Sequence, residues 1–253
     1  MVPVEVPSSP ESPRAGRQAY DDWKSYDDLT KEDIDSTLKP GAYIRGDVIN
    51  FYIKEKFLVL PRGALYGKFF VNTFWFSRVK TLTDKLRNDR YNVRVNRSIH
   101  RMRSSINPRV DDVQHISSLI IPIHFGDNDY HWSLAVIHLG KERCTIYHLD
   151  SYRGTHNSQV VTRALSLFAA VALNRSPEDI YVGEYYTPQQ TGNYECGYHV
   201  MQFLSKVAEV KGDLGPYFDN ESACHFATSW DVKSFEICFH GAMDPKAKNR
   251  FLP

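Results

Sequence analysis

No apolar run in the 253-residue sequence approaches the roughly 20 residues that a bilayer-spanning helix requires. Even Ser118 to His124 and Trp132 to Leu139 are strand-length. An excess of one charge is missing too. Lys and Arg number 31 against 30 Asp and Glu, for a net charge of +1, so the whole chain offers no electrostatic case for nucleic acid or an anionic membrane surface. Cysteine is scarce, with four residues at 144, 196, 224 and 238, and no signal-like apolar stretch opens the chain. Those features fit free thiols in a reducing compartment rather than a disulfide scaffold. No C-x-x-C pair exists, and Cys224-His225 and Cys238-Phe-His240 have spacings poorly suited to tetrahedral zinc. The first 18 residues lack aromatic side chains and are rich in Pro, Ser and Glu. Such a segment cannot bury enough apolar surface to offset its ordering entropy, so residues 1–20 are read as a flexible tail and 21–253 as one domain.

What is present is a chain that is 42% hydrophobic, enough for a sizeable core. The run from Asp47 places Val48, Phe51, Tyr52 and Glu55 at helical spacing. Phe69 to Phe76 is a second aromatic block whose type, helix or strand, the pattern leaves open. Residues 85–109 carry seven Arg and few apolar anchors, which reads as a solvated surface insert, with a contact surface for an acidic partner as the alternative. Three β-rich runs follow, Ser118–His124, Trp132–His138 and Cys144–Leu149, separated by turn residues. Val160–Leu173 has helical period, Asp179–Tyr186 reads as a strand, and Gly197–Val210 as a second strong helix. The mixed order indicates an α+β fold around one central sheet flanked by helices.

Three residues stand where they can do chemistry together. His131 opens one strand and Asp150 closes the next, and antiparallel pairing puts those two positions side by side. Cys196 follows a Gly/Asn turn at the start of an apolar-periodic helix. A helix N-terminus and a nearby imidazolium both favour the thiolate, the species that attacks carbonyls. Gln190, on the loop before Cys196, can join the Cys196 backbone N–H in binding an oxyanion. Singly, each is ordinary: a Cys is usually core, and a strand-end Asp usually serves a turn. His199, on the helix of Cys196, is read as a packing neighbour.

His131-Trp132-Ser-Leu, Leu149-Asp150-Ser151, Pro188-Gln189-Gln190 and Glu195-Cys196-Gly197 occur in an order and spacing that resemble the ubiquitin-like-protein (SUMO) proteases of the Ulp/SENP type. Upstream, Tyr43-Ile-Arg-Gly-Asp-Val-Ile-Asn-Phe-Tyr52 resembles that family's Trp-Leu-Asn-Asp-x-Val-Ile-Asn-Phe-Tyr segment, and Asn72-Thr-Phe-Trp-Phe76 its next aromatic block. The similarity runs from about 43 to 204. It implies a papain-like, adenain-like α+β fold in circularly rearranged order, with His131, Asp150 and Cys196 as triad and Gln190 in the oxyanion hole. It further implies a thiol peptidase that cuts after the terminal Gly-Gly of a ubiquitin-like modifier, SUMO first, without metal or cofactor. Trp132 matches the tryptophan that roofs the Gly-Gly channel, and Tyr43 stands where the second wall is usually Trp. Gly46 and Glu195 replace two residues that are usually Asp. Because the upstream carboxylate serves modifier binding, Gly46→Asp is expected to raise affinity or restore the common preference.

The resemblance implies a SUMO or related modifier and its conjugates as partner, and a monomeric nuclear or cytoplasmic enzyme, delivery into a host by a pathogen being left open. Two other readings keep the same residues: a protease-fold acetyltransferase, and a module that binds a modifier without cutting it.

Overall fold

The computed structural model describes residues 29–39, 41–58, 65–88, 93–106, 116–125, 130–183, 185 and 187–219. The expected tail, Cys224, Cys238 and the chain beyond 219 lie outside them.

Five strands form one sheet in the order β1-β2-β3-β4-β5: β1 (Lys68–Phe70), β2 (Ser118–Ile123), β3 (Ser133–Leu139), β4 (Cys144–Leu149) and β5 (Ile180–Gly183). The three central strands are antiparallel, with Ile120 opposite Val136 and Val136 opposite Tyr147, whereas β1 and β5 join the two edges in parallel. Side chains alternate across a strand, and here both faces are covered. Ile120, Leu134, Val136, Tyr147 and Leu149 pack into one core, and Leu119, Ile121, Ala135, Ile137 and Ile146 into another. A sheet buried on both sides needs apolar residues at consecutive positions, which is why Ser118-Leu-Ile-Ile-Pro-Ile reads as an unbroken run.

The first core is closed by α1 (Lys31–Thr37), α2 (Gly46–Ile53), α6 (Cys196–Glu209) and the short α7 (Gly215–Asp219). Thr30 and Asp33 form a reciprocal capping box at the start of α1, satisfying N–H groups that a helix start leaves unpaired. The buried side of α2 is broader than the expected stripe: Val48, Ile49, Tyr52 and Ile53 are buried, while Phe51 and Glu55 are half-exposed. A π-helical turn, Lys54–Leu58, follows and buries Phe57.

The second core is closed by α3 (Trp75–Asn88), α4 (Val93–Ile106) and α5 (Ser158–Ala172). The aromatic block of open type is both things, strand β1 up to Phe70 and helix α3 from Trp75, with Thr73 between them held by the Asn50 side chain. The Arg-rich segment is not merely a solvated insert. Within it, Leu86, Val95 and Ile99 are buried in the second core, while Arg94, Arg97 and Arg101 face outward. Apolar residues four apart on one helix face (95 and 99) suffice to anchor it, and the arginine count hid them.

Helix α6 runs so close to the segment before α2 that a β-carbon built on Gly197 falls 2.4 Å from the Ile44 β-carbon. Only glycine fits after Cys196. Gly197→Ala is expected to destabilise the domain by about 1–3 kcal/mol, the usual range for overpacking. An unchanged midpoint of thermal unfolding would contradict that close contact.

Candidate active site

The functional side chains meet at one end of the sheet, where β3 begins and β4 ends. His131 stands two residues before β3 and Asp150 immediately follows β4. The His131 Nε2 lies 2.6 Å from Asp150 Oδ1, with both residues at least nine-tenths buried. Tyr152 N–H donates to the same carboxylate at 3.0 Å and the His156 N–H at 3.4 Å. Burial acts most strongly on Asp150 and favours its neutral form, but the His131 hydrogen bond and the Tyr152 N–H outweigh it and hold the carboxyl below its ordinary value.

His131 also hydrogen-bonds Cys196. Since Nε2 is committed to Asp150, Nδ1 is the nitrogen left for the thiol. Burial, the largest influence, opposes the imidazolium. The hydrogen bonds and charges of Asp150 and Cys196 together overcome it and carry the His131 pKa up to about 9. At neutral pH the ring is therefore a cation held between the Asp150 carboxylate and the Cys196 sulfur.

Cys196 is the first residue of α6, whose opening N–H groups have no partner within the helix. Its thiol is fully buried and faces the Tyr130 carbonyl at 3.8 Å. Tyr130 itself is 71% exposed, and its ring meets that of Tyr43 at 5.9 Å between centroids. The pair thus ties Tyr43 to the residue whose carbonyl faces the thiol. Tyr43 was visible in the sequence and Tyr130, directly before His131, was not singled out.

Gln190 is buried and tied to the residue after Asp150. Its Oε1 accepts from Ser151 Oγ at 2.8 Å, its backbone N–H donates to the Ser151 carbonyl at 2.7 Å, and its Nε2 donates to the Gly192 carbonyl at 2.7 Å. An amide nitrogen has two hydrogens, so one remains after the Gly192 bond. Glu195 organises the same loop, its carboxylate accepting from the N–H groups of Thr191 and Gly192, each at 3.0 Å. The longer Glu at this place thus serves the loop's shape.

Trp132 is only 6% exposed. Its Nε1–H donates to the Ile44 carbonyl at 2.8 Å, and its ring stacks on His124 at 4.3 Å. These two contacts fix the orientation of the indole. The far edge of the ring lies against Gly46, where a β-carbon would sit 3.1 Å from Trp132 Cη2 and 3.1 Å from Thr73 Oγ1. The packing sets a cost against the gain expected from Gly46→Asp. A β-carbon there asks Trp132 or Thr73 to give by a few tenths of an ångström, and with the indole held on two sides the expected outcome is a lower kcat/KM and no gain in modifier affinity. Tighter binding by that variant would contradict the packing.

Two buried histidines flank the site without joining the thiol. Burial pushes His148 and His199 down to about 4, against the opposing pull of Asp150 on the first and Glu195 on the second. Unfolding returns both to an ordinary value near 6.5. Between pH 6.5 and 4 the unfolded chain therefore binds more protons, and stability falls as pH drops through that window. The expected loss is on the order of 1 kcal/mol per pH unit for each group. His131, protonated in both states over most of that range, adds little slope there. Urea unfolding at pH 7 and pH 4.5 reads the difference, and equal stabilities would contradict it.

With the geometry in hand, similarity decides the family. Residues 43–241 match the sequence profile of the Ulp1 protease family, C-terminal catalytic domain. The chain belongs to the Ulp1 protease family. Among relatives, ubiquitin-like-specific protease 1C of Arabidopsis thaliana is 26% identical over 198 residues, covering 68% of this chain and 32% of the relative. Ubiquitin-like-specific protease 1A of the same plant is 27% identical over 177 residues, covering 66% and 32%. The chain thus spans about a third of the length of these relatives. The SUMO protease Ulp1 with its catalytic cysteine oxidised to a sulfenic acid superposes with a TM-score of 0.54 at 17% identity, covering 96% of this chain and 98% of that one. The Ulp1-like SUMO protease catalytic domain of Chaetomium thermophilum gives 0.52 at 18%, covering 92% and 88%. These likenesses bear out the papain-like α+β fold class and the family read from the sequence. Among the described residues, no helix of this Ulp1-family domain is long and apolar enough to cross a membrane.

Proposed function

We propose that this Ulp1-family domain is a cysteine peptidase that cleaves after the C-terminal Gly-Gly of a ubiquitin-like modifier, SUMO first, releasing it from conjugates and processing its precursor. The observation that carries the reading is His131 hydrogen-bonded at once to Asp150, at 2.6 Å, and to the Cys196 thiol. Family membership and relatives named as ubiquitin-like-specific proteases support it further.

In this reading the Cys196 thiolate attacks the carbonyl carbon of the terminal glycine. The carbonyl π-electrons move onto oxygen, and the Cys196 N–H with the remaining Gln190 amide hydrogen stabilises that charge. As the tetrahedral species collapses, the C–N bond breaks and His131 gives its proton to the departing lysine amine. A thioester remains. His131, now neutral, takes a proton from water as the oxygen attacks, and the C–S bond breaks to release the thiolate and the carboxylic acid, which loses its remaining proton to solvent. Asp150 stabilises the imidazolium through Nε2 at each stage. Trp132 and Tyr43 line the approach, where a β-carbon on the tail would collide and glycine passes. The intracellular partner is a modifier or its conjugate, engaged by a monomer.

The deciding experiment compares three substrates on the purified protein: a SUMO conjugate, a SUMO precursor and acetyl-coenzyme A. Cleavage of the conjugate supports the reading. Acetyl-coenzyme A consumption without conjugate cleavage would favour the acetyltransferase, and modifier binding without either reaction would favour the binding module.

A further inference from the structure

Behind the His131–Asp150 pair lies a polar chain that the chemistry above does not use. Ser133, His148 and His156 are all buried on the side of the sheet covered by α5. Ser133 Oγ lies 2.9 Å from His148 Nε2 and 2.7 Å from His156 Nδ1, and His148 Nδ1 lies 2.7 Å from Ser158 Oγ at the start of α5. Ser133 has one hydroxyl hydrogen to share between two rings. At most one of the two rings can therefore receive its hydrogen, and the other must donate to its oxygen, which couples the tautomers of His148 and His156 through Ser133. His148, held down to about 4 by its burial, adds no charge beside the His131 cation at neutral pH.

The His156 ring is gripped on three sides. Its Nδ1 is held by Ser133, one face stacks on Phe125 at 4.5 Å, and it meets the His131 ring at 4.6 Å with the planes 69° apart. Its own backbone N–H reaches Asp150 Oδ2 at 3.4 Å. Together these contacts define the imidazole plane, and the ring it abuts is the one hydrogen-bonded to both Asp150 and Cys196.

We propose that His156, locked by the Ser133–His148–Ser158 chain and by Phe125, is a positioning residue that sets the plane of the His131 ring between Asp150 and Cys196. The proposal rests on the reading of His131 and Cys196 as the reacting pair. Without the His156 ring, His131 can rotate out of line with the thiol while keeping its bond to Asp150. A misplacement of about 1 Å costs roughly a hundredfold in rate, so the expected loss falls on kcat, by about ten- to a hundredfold, with KM little changed.

The test assays SUMO-conjugate cleavage by wild type, Cys196→Ala, His156→Ala, His156→Asn, His156→Phe and Ser133→Ala, with thermal unfolding of each. In parallel, proton NMR follows the downfield resonance of the His131 Nε2–H in its short bond to Asp150. His156→Ala is expected to lower kcat and broaden that resonance while the protein stays folded. His156→Phe keeps a ring against His131 and should recover much of the rate. His156→Asn keeps only a polar group near Ser133 and should not. Ser133→Ala, which touches neither Asp150 nor Cys196 in the bonds above, should lose kcat in part. Recovery by Asn but not Phe, or a normal kcat and an unmoved resonance in His156→Ala, would overturn the proposal. Full activity in Cys196→Ala would instead overturn the reading on which it rests, and the two failures are distinct.

Discussion

Replacing Cys196 with alanine should leave a folded domain that binds the modifier and turns over nothing measurable. The thiol supplies the bond to the acyl carbon, and no neighbouring group stands in for it: the other cysteine among the described residues, Cys144, is buried in the second core. Burial drives Cys144 up to about 11, against a smaller opposing effect of Arg175, so it stays a neutral thiol at working pH. Packing should tolerate the change, since alanine keeps the β-carbon and α6 is held by Tyr198, Met201 and Phe203 as well. Conjugate-cleavage assays with matched binding measurements read both halves. Appreciable turnover by the alanine variant would move the nucleophile elsewhere.

Asp150→Asn should cost on the order of 10⁴ in rate, the size of the loss when a serine triad is given the same amide in place of its acid. The carboxylate accepts from His131, from the Tyr152 N–H and more weakly from the His156 N–H. An amide can present only one oxygen to these donors. It also removes the charge that helps to lift His131 to about 9. Stability should change less than rate, because the surrounding backbone is fixed independently: the Asp150 carbonyl accepts from Thr187 Oγ1 and Gln189 Nε2. A variant with near-normal rate would reduce Asp150 to a turn residue.

Much of this site was legible because it depends on strand geometry. The start of β3 and the end of β4 must lie together once those runs pair antiparallel, and the structure pairs Leu134 with Leu149, one step inward from the site. The Cys196 position was equally readable from the turn and helix around it. What was not legible depends on side-chain packing between distant segments. Nothing in Tyr43–Tyr52 shows that Gly46 lies under the edge of Trp132, a residue 86 positions away in sequence, so the packing cost that Gly46→Asp sets against its added carboxylate is invisible there. The buried arginine-flanked Val95 and Ile99 were obscured by the charges around them. His148 carried a usable signal: two residues before Asp150 on a strand, it projects to the same side. His156 did not, because its place is set by the irregular turn between β4 and α5.

The central claim is that Cys196 is the nucleophile at a channel for a diglycine tail. The most direct measurement is mass spectrometry of the adduct formed with a SUMO probe whose last glycine carries an electrophile. One probe per chain, attached to Cys196 and abolished when the tail is changed from Gly-Gly to Ala-Gly, is the predicted result. Attachment at Cys144, or equal labelling by the Ala-Gly probe, would contradict it.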